Sequence, residues 1–181
     1  MALPPETPLI VADAEDPASL DAMVRRGKAI ITTVGPYQLY GDSLVAACVA
    51  AGTDCLDLTG EPNWMAHIIG EHDAAAKASG ARIVHSCGFD SIPFELGVFF
   101  AEETAKAKFG AYVPRVKGRV RAIQGGLSGG TAASGAATMA AIQKDPSIGM
   151  LMMNPFALTP GFQGPEQPSG ISWRRFTNGM L

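Results

Sequence analysis

Lys28-Ala29-Ile30-Ile31-Thr32-Thr33-Val34, followed by Gly35-Pro36, decides the reading of the fold. The run is rich in β-branched residues and shows no polar–apolar alternation, so it reads as a strand covered on both faces, as in a parallel sheet. Gly35-Pro36 ends it. Working outward, the same strand-then-helix unit recurs. Upstream, Pro8 to Asp13 is a short apolar run ending in an acid; Asp16-Pro17 then opens a helix, with Asp16 as cap and Pro17 at the first helical position. Leu20, Met23 and Val24 give that helix one apolar face, and Gly27 stops it. Downstream, Asp42 is expected to cap a helix over 43–51 closed by Gly52, and Cys55 to Leu58 is the next strand. Glu61-Pro62 opens a third helix with Trp64, Ile68 and Ala75 on one face, ending at Gly80. Ala81 to His85 is the fourth strand, and Pro93 starts a helix whose apolar face carries Leu96, Phe99 and Phe100.

Strands alternating with helices predict an α/β fold, a partial Rossmann-type parallel sheet with helices on both faces. In such sheets ligands sit beyond the carboxyl ends of the strands. Those ends are Asp13, Thr33 to Tyr37, Thr59 to Glu61, and Cys87 to Ser91. The pattern changes after Pro114. Arg115, Lys117, Arg119 and Arg121 alternate with Val116, Gly118, Val120 and Ala122, which predicts a half-solvated strand. Its charged face reads first as solvated surface, with a phosphate-bearing ligand or anionic partner as the alternative. A glycine-rich turn, Gly125 to Gly130, then leads into an Ala-rich helix over 131–143. The expected division is a cofactor domain over 1–111 and part of an α+β substrate or dimerisation domain over 112–181.

Composition narrows the function classes. Of 181 residues, 47% are hydrophobic and 17% charged, which excludes an intrinsically disordered chain. A net charge of -3 offers no basic field for nucleic acid. Three cysteines, Cys48, Cys55 and Cys87, without a C-x-x-C pair read as free thiols in a reducing, cytoplasmic compartment. The first eight residues hold three prolines and no basic residue, which reads against a signal peptide. No apolar run approaches the ~20 residues of a membrane span.

Local motifs leave several chemistries to weigh. Gly126-Leu127-Ser128-Gly129-Gly130 fits the G-x-S-x-G pattern of a nucleophile elbow, but His67, His72 and His85 all precede Ser128, so no base follows in the order that architecture needs. As a phosphate loop the segment lacks a lysine, Gly130 standing before Thr131. A tight strand-to-helix turn is the plain reading, with a helix N-terminus touching substrate or phosphate as the alternative. His67 and His72 are five apart and do not share a helix face as zinc ligands would, so no metal is expected. Cys87, without a neighbouring cation, reads as an inert thiol. Cys87-Gly88-Phe89-Asp90-Ser91-Ile92-Pro93 is the sharpest local signal; Asp90 or Ser91 could serve there as a plain helix cap or as a site residue.

That heptapeptide with Leu96-Gly97 resembles the signature of the saccharopine dehydrogenase-like oxidoreductases. Thr33 to Tyr37, Cys55 to Glu61 and Ser128 to Thr131 agree with it in order, and Asn154 to Leu158 resembles a segment of the branch that includes the trans-acting enoyl reductases. The resemblance implies an NAD(P)-binding Rossmann domain, with NADP the expected choice, and hydride transfer to a small or lipid-type substrate. It places Asp13 beside the adenine end, Thr33, Gly35 and Pro36 beneath the cofactor, and Gly88, Phe89 and Asp90 near the nicotinamide. It implies a cytoplasmic protein, with a peripheral place at membrane or lipid as the alternative; a homo-oligomer is left open. No G-x-G-x-x-G occurs, and Leu9 to Ala12 corresponds to a third Rossmann strand. The expectation is therefore a portion of a longer oxidoreductase that alone binds NAD(P) negligibly, is inactive and self-associates. A non-catalytic module of the same fold is the alternative reading, and a hydrolase using Ser128 the third.

Overall fold

The computed structural model describes residues 6–122, 124–126, 128–159 and 161–165. It is an α/β structure. Three parallel strands, β1 (Ala29–Ile31), β2 (Asp54–Leu56) and β3 (Ile83–Val84), lie side by side in that order. Ala29 pairs with Asp54, Ile30 with Cys55 and Ile31 with Leu56; Leu56 in turn pairs with Val84. Helix α1 (Pro17–Val24) precedes β1, α2 (Tyr37–Tyr40) and α3 (Asp42–Ala51) join β1 to β2, and α4 (Pro62–Ser79) joins β2 to β3. Three further helices follow: α5 (Ile92–Phe109), α6 (Gly129–Lys144) and α7 (Ser147–Met153). No helix among the described residues is long and apolar enough to cross a membrane.

Local chemistry sets the helix ends. Asp16 Oδ1 accepts the Ala18 N–H at 3.0 Å, and Pro17 occupies the first turn, where its missing N–H costs nothing. Helices α3 and α4 stop at Gly52 and Gly80, whose φ of 69° and 82° lie where a Cβ is costly. Asp42 is not the cap of α3: Gly41 holds that position, and Asp42 Oδ1 instead accepts the Trp64 indole N–H at 2.5 Å. The core packs Leu20, Val24, Val45, Cys48, Trp64 and Ile68 from α1, α3 and α4 against Ile30, Cys55 and Ile83 of the sheet.

Several expected elements differ. Leu9 to Ala12 forms no strand; Leu9 is 91% and Val11 96% exposed, and only Ala12 touches the core. Residues 115–122 also form no strand, although their polar–apolar period is correct. A strand needs a neighbour to satisfy its backbone; the sheet has open edges on β1 and β3, and neither segment pairs with them. The β1 run is not covered on both faces: Ile30 meets the core while Ile31 is 78% exposed. On α4 it is Ala76, not Ala75, that is buried beside Trp64 and Ile68. Leu96, Phe99 and Phe100 are exposed, and Ala105 is the buried residue of α5.

Candidate functional site

The three strands end at one place. Thr33 and Gly35 beyond β1, Leu58 and Gly60 beyond β2, and Gly88, Phe89 and Asp90 beyond β3 line a cavity of about 940 Å³. The opposite wall is α6 and its start, from Ser128 and Thr131 through Ser134 and Thr138 to Met139 and Ile142, with Met152 of α7. Among the residues expected to hold a cofactor, Thr33, Gly35, Gly88, Phe89 and Asp90 therefore meet on one cavity. Pro36 is buried just behind it, its carbonyl accepting the Leu39 and Tyr40 N–H groups at the start of α2. Asp13 does not line this cavity; its Oδ1 accepts the Glu15 N–H at 2.9 Å in a local turn.

Neither Asp90 nor Ser91 makes a side-chain capping bond to α5, so capping does not account for them. Ser128 behaves otherwise. Its Oγ accepts the Thr131 N–H at 3.1 Å and caps α6, while Thr131 Oγ1 lies 3.0 Å away. The three histidines do not line the cavity, so Ser128 faces no imidazole base there. The turn that contains it reads through Leu127, which lies outside the described residues. Among the described residues no three His, Cys, Asp or Glu side chains cluster as a metal site.

Beneath the cavity lies a buried polar frame that sequence reasoning did not single out. Asp57, 2% exposed, accepts the N–H groups of Thr59 and Ser86, each at 3.0 Å, through Oδ1. Its Oδ2 lies 2.6 Å from His85 Nδ1. Ser86 holds a left-handed φ of 59°, a conformation costly for a residue with a Cβ, and its Oγ donates to the Thr59 carbonyl at 2.8 Å. Asp57 thus fixes the loops beyond β2 and β3 relative to one another. Tyr37 ties in the loop beyond β1: its hydroxyl donates to the Thr32 carbonyl at 3.2 Å and accepts the Leu58 N–H at 3.3 Å. Burial pushes the Tyr37 phenol up, so it stays a neutral donor.

Glu61 is fully buried. Its two carboxylate oxygens accept the Tyr37 and Gln38 N–H groups, each at 2.9 Å, and Oε1 also accepts the Ser134 hydroxyl at 2.7 Å. An acid followed by proline reads in sequence as a helix start, and Glu61 does precede α4. Its carboxylate, however, caps α2 instead. Two acids within five residues at the end of an apolar strand, Asp57 and Glu61, are the signal that marks this frame.

Cys87 sits at the edge of the frame, half-buried, its N–H donating to the Asp57 carbonyl at 2.7 Å. Burial and then the nearby Asp57 charge push its thiol up. A raised pKa lowers the thiolate fraction at any given pH. At pH 8 iodoacetamide is expected to label Cys87 several-fold more slowly than a free cysteine, whose pKa is about 8.5. Timed alkylation read by mass spectrometry checks this; labelling as fast as the free thiol would contradict it.

Comparison with known proteins adds an independent line. Neither a family model nor a solved structure matches the chain. Over 153 residues, 84% of its length, it is 43% identical to a Mycobacterium tuberculosis protein provisionally named a trans-acting enoyl reductase. Over the same share it is 42% identical to the trans-acting enoyl reductase of Mycobacterium ulcerans and 40% to that of Mycobacterium leprae. The matched stretch is 36% of the Mycobacterium tuberculosis protein and 37% of the other two. The chain is thus similar to proteins named trans-acting enoyl reductases and spans little more than a third of their length.

Proposed function

We propose that this chain forms the nicotinamide-side floor of an NAD(P)-dependent enoyl reductase, with NADPH as reductant and a lipid-type enoyl substrate. The observation that carries the reading is the cavity at the carboxyl ends of three parallel strands, where an α/β sheet binds its ligand. Its walls divide by chemistry. Thr33, Gly35, Gly60 and Gly88 offer backbone and small side chains to a flat polar ring, while Phe89, Met139, Ile142 and Met152 offer apolar surface to an acyl chain. The glycines fit that assignment. A Cβ at Gly60 would meet nothing within 4 Å, so its absence leaves open space at the wall. A Cβ at Gly88 would come within 3.2 Å of Asp90 Oδ1, so glycine lets the loop beyond β3 fold closely on itself. A bound nicotinamide would supply the hydride; the protein's part is to hold the ring flat and keep the acyl chain against it. In this reading residues 1–111 are the cofactor side, residues 112–181 begin the substrate side, and the cavity is the seam between them. Of the latter, Ile123, Leu127, Pro160 and residues 166–181 lie outside the described residues.

Saturation-transfer NMR on the 181-residue chain with NADPH tests the reading. Weak transfer is expected, favouring nicotinamide over adenine protons, because no G-x-G-x-x-G turn is present to hold the pyrophosphate. Gly60→Leu should abolish it by filling that space, with stability shifting by about 0.5 kcal/mol or less, since position 60 is exposed and its Cβ would meet nothing within 4 Å. Absence of any transfer from the protein to nicotinamide protons would overturn the reading.

A further inference from the structure

Helix α6 forms one wall of the cavity, yet it has almost no apolar anchorage. Of its 16 residues the buried one is Thr138; Met139 is 58% exposed. A helix without a buried apolar stripe is not held by the usual hydrophobic contact. Polar bonds hold it instead. Ser134 Oγ donates to Glu61 Oε1 at 2.7 Å, and one turn further on Thr138 Oγ1 accepts from Gln38 Nε2 at 3.1 Å. Asn63 Nδ2 donates to Gln38 Oε1 at 3.2 Å and so fixes the Gln38 amide with its nitrogen toward α6. Asn63 Oδ1 is buried and accepts no hydrogen bond among the described residues. Glu61 stands behind both bonds: it accepts the Ser134 hydroxyl directly, and it also accepts the backbone N–H of Gln38, whose side-chain amide donates to Thr138.

We propose that Glu61, Gln38, Ser134 and Thr138 form a hydroxyl–carboxylate latch that sets α6 against the floor of the cavity, with Glu61 as the positioning residue. The carboxylate is needed as such. Three donors converge on its two oxygens, and an amide in its place would turn an NH₂ group toward one of them. The latch stands on geometry alone; its role in shaping a cofactor and acyl cavity rests on the function proposed above.

Hydrogen exchange of the 181-residue chain, without ligand, tests it. In the Ser134→Ala/Thr138→Ala variant, amides of α6 should exchange roughly tenfold or more faster, about the effect of two ordinary hydrogen bonds. Amides of α3 should stay within about twofold. Alanine is the better helix former, so faster exchange would not come from a weaker helix. Glu61→Gln should raise α6 exchange as well, and Ser134→Thr, which keeps the hydroxyl, should restore it to near the original rate. Unchanged α6 exchange in the double variant would overturn the latch, as would an equal rise in α3 or a Ser134→Thr variant as fast as Ser134→Ala. The NADPH experiment reports separately, so loss of nicotinamide transfer with α6 exchange as expected would remove the function and leave the latch.

Discussion

Asp57→Ala is expected to be among the most damaging single substitutions in this chain. It strands three groups at once: the Thr59 and Ser86 N–H groups and His85 Nδ1 all lose their buried partner. A buried donor left without an acceptor costs about 1–3 kcal/mol, and the three together put the loss at roughly 3 kcal/mol or more. For a domain of this size that lowers the thermal midpoint by roughly 10 °C. The left-handed Ser86 also depends on Asp57, so the Gly88 to Asp90 loop should lose its place in the cavity wall. Nicotinamide transfer should then vanish even at temperatures where the variant is folded. Asp57→Asn separates the two effects. It keeps one oxygen for the backbone N–H pair and exchanges the other for an NH₂ group, which the imidazole can meet by changing tautomer. It should retain half or more of the lost stability. Thermal melts of the three proteins measure this; an alanine variant within 2 °C of the original would show that Asp57 is not the frame's anchor.

How much of this was legible beforehand depends on whether a signal is local. Asp16, Pro17, Gly52 and Gly80 mark helix ends by chemistry confined to a few residues, and they act as the sequence indicates. The cavity wall was reachable too, because a parallel sheet gathers its strand ends, and so Thr33, Gly35, Gly88, Phe89 and Asp90 come together. What failed were segments whose partner the local pattern does not reveal. The runs at Leu9 to Ala12 and Arg115 to Arg121 have strand composition but pair with no strand among the described residues. Leu96, Phe99 and Phe100 form an apolar face that nothing among the described residues covers. Glu61 was hidden by ambiguity: an acid before proline suits the start of α4, and only the fold shows its carboxylate turned back onto α2. Ser134 was hidden by its setting: Thr131, Ser134 and Thr138 lie at helical spacing in a Gly- and Ala-rich helix, and nothing local names the distant partners that Ser134 and Thr138 bond.

Gly41→Ala should be comparably severe, for a purely steric reason. Gly41 has a φ of -84°, which any residue adopts, so its backbone does not call for glycine. Space does. A Cβ there would lie 2.5 Å from Trp64 Cζ2 and 2.7 Å from the Tyr37 carbonyl oxygen, far inside contact distance. Trp64 cannot easily yield. Its indole N–H is bonded to Asp42 Oδ1, Tyr37 packs on its ring with centroids 5.3 Å apart, and His85 meets it edge-on at 5.2 Å. Overpacking of this kind costs about 1–3 kcal/mol, and the pinned indole places Gly41→Ala at the upper end. Because Trp64 joins Tyr37 to His85, its displacement disturbs the loops beyond β1 and β3 together. Trp64 emission followed through a urea titration, with Trp173 replaced by phenylalanine to isolate the signal, should show a clearly lower midpoint. Trp64→Phe removes the indole atoms of the clash and leaves the Tyr37 carbonyl contact. Combined with Gly41→Ala and followed by circular dichroism, it should be less destabilised than the sum of the two single variants, the non-additivity expected of residues in direct contact. Strict additivity, or a Gly41→Ala midpoint equal to that of the parent, would mean that the junction of α2 and α3 relaxes around the added methyl and that Trp64 is not the wedge holding the strand-end loops in place.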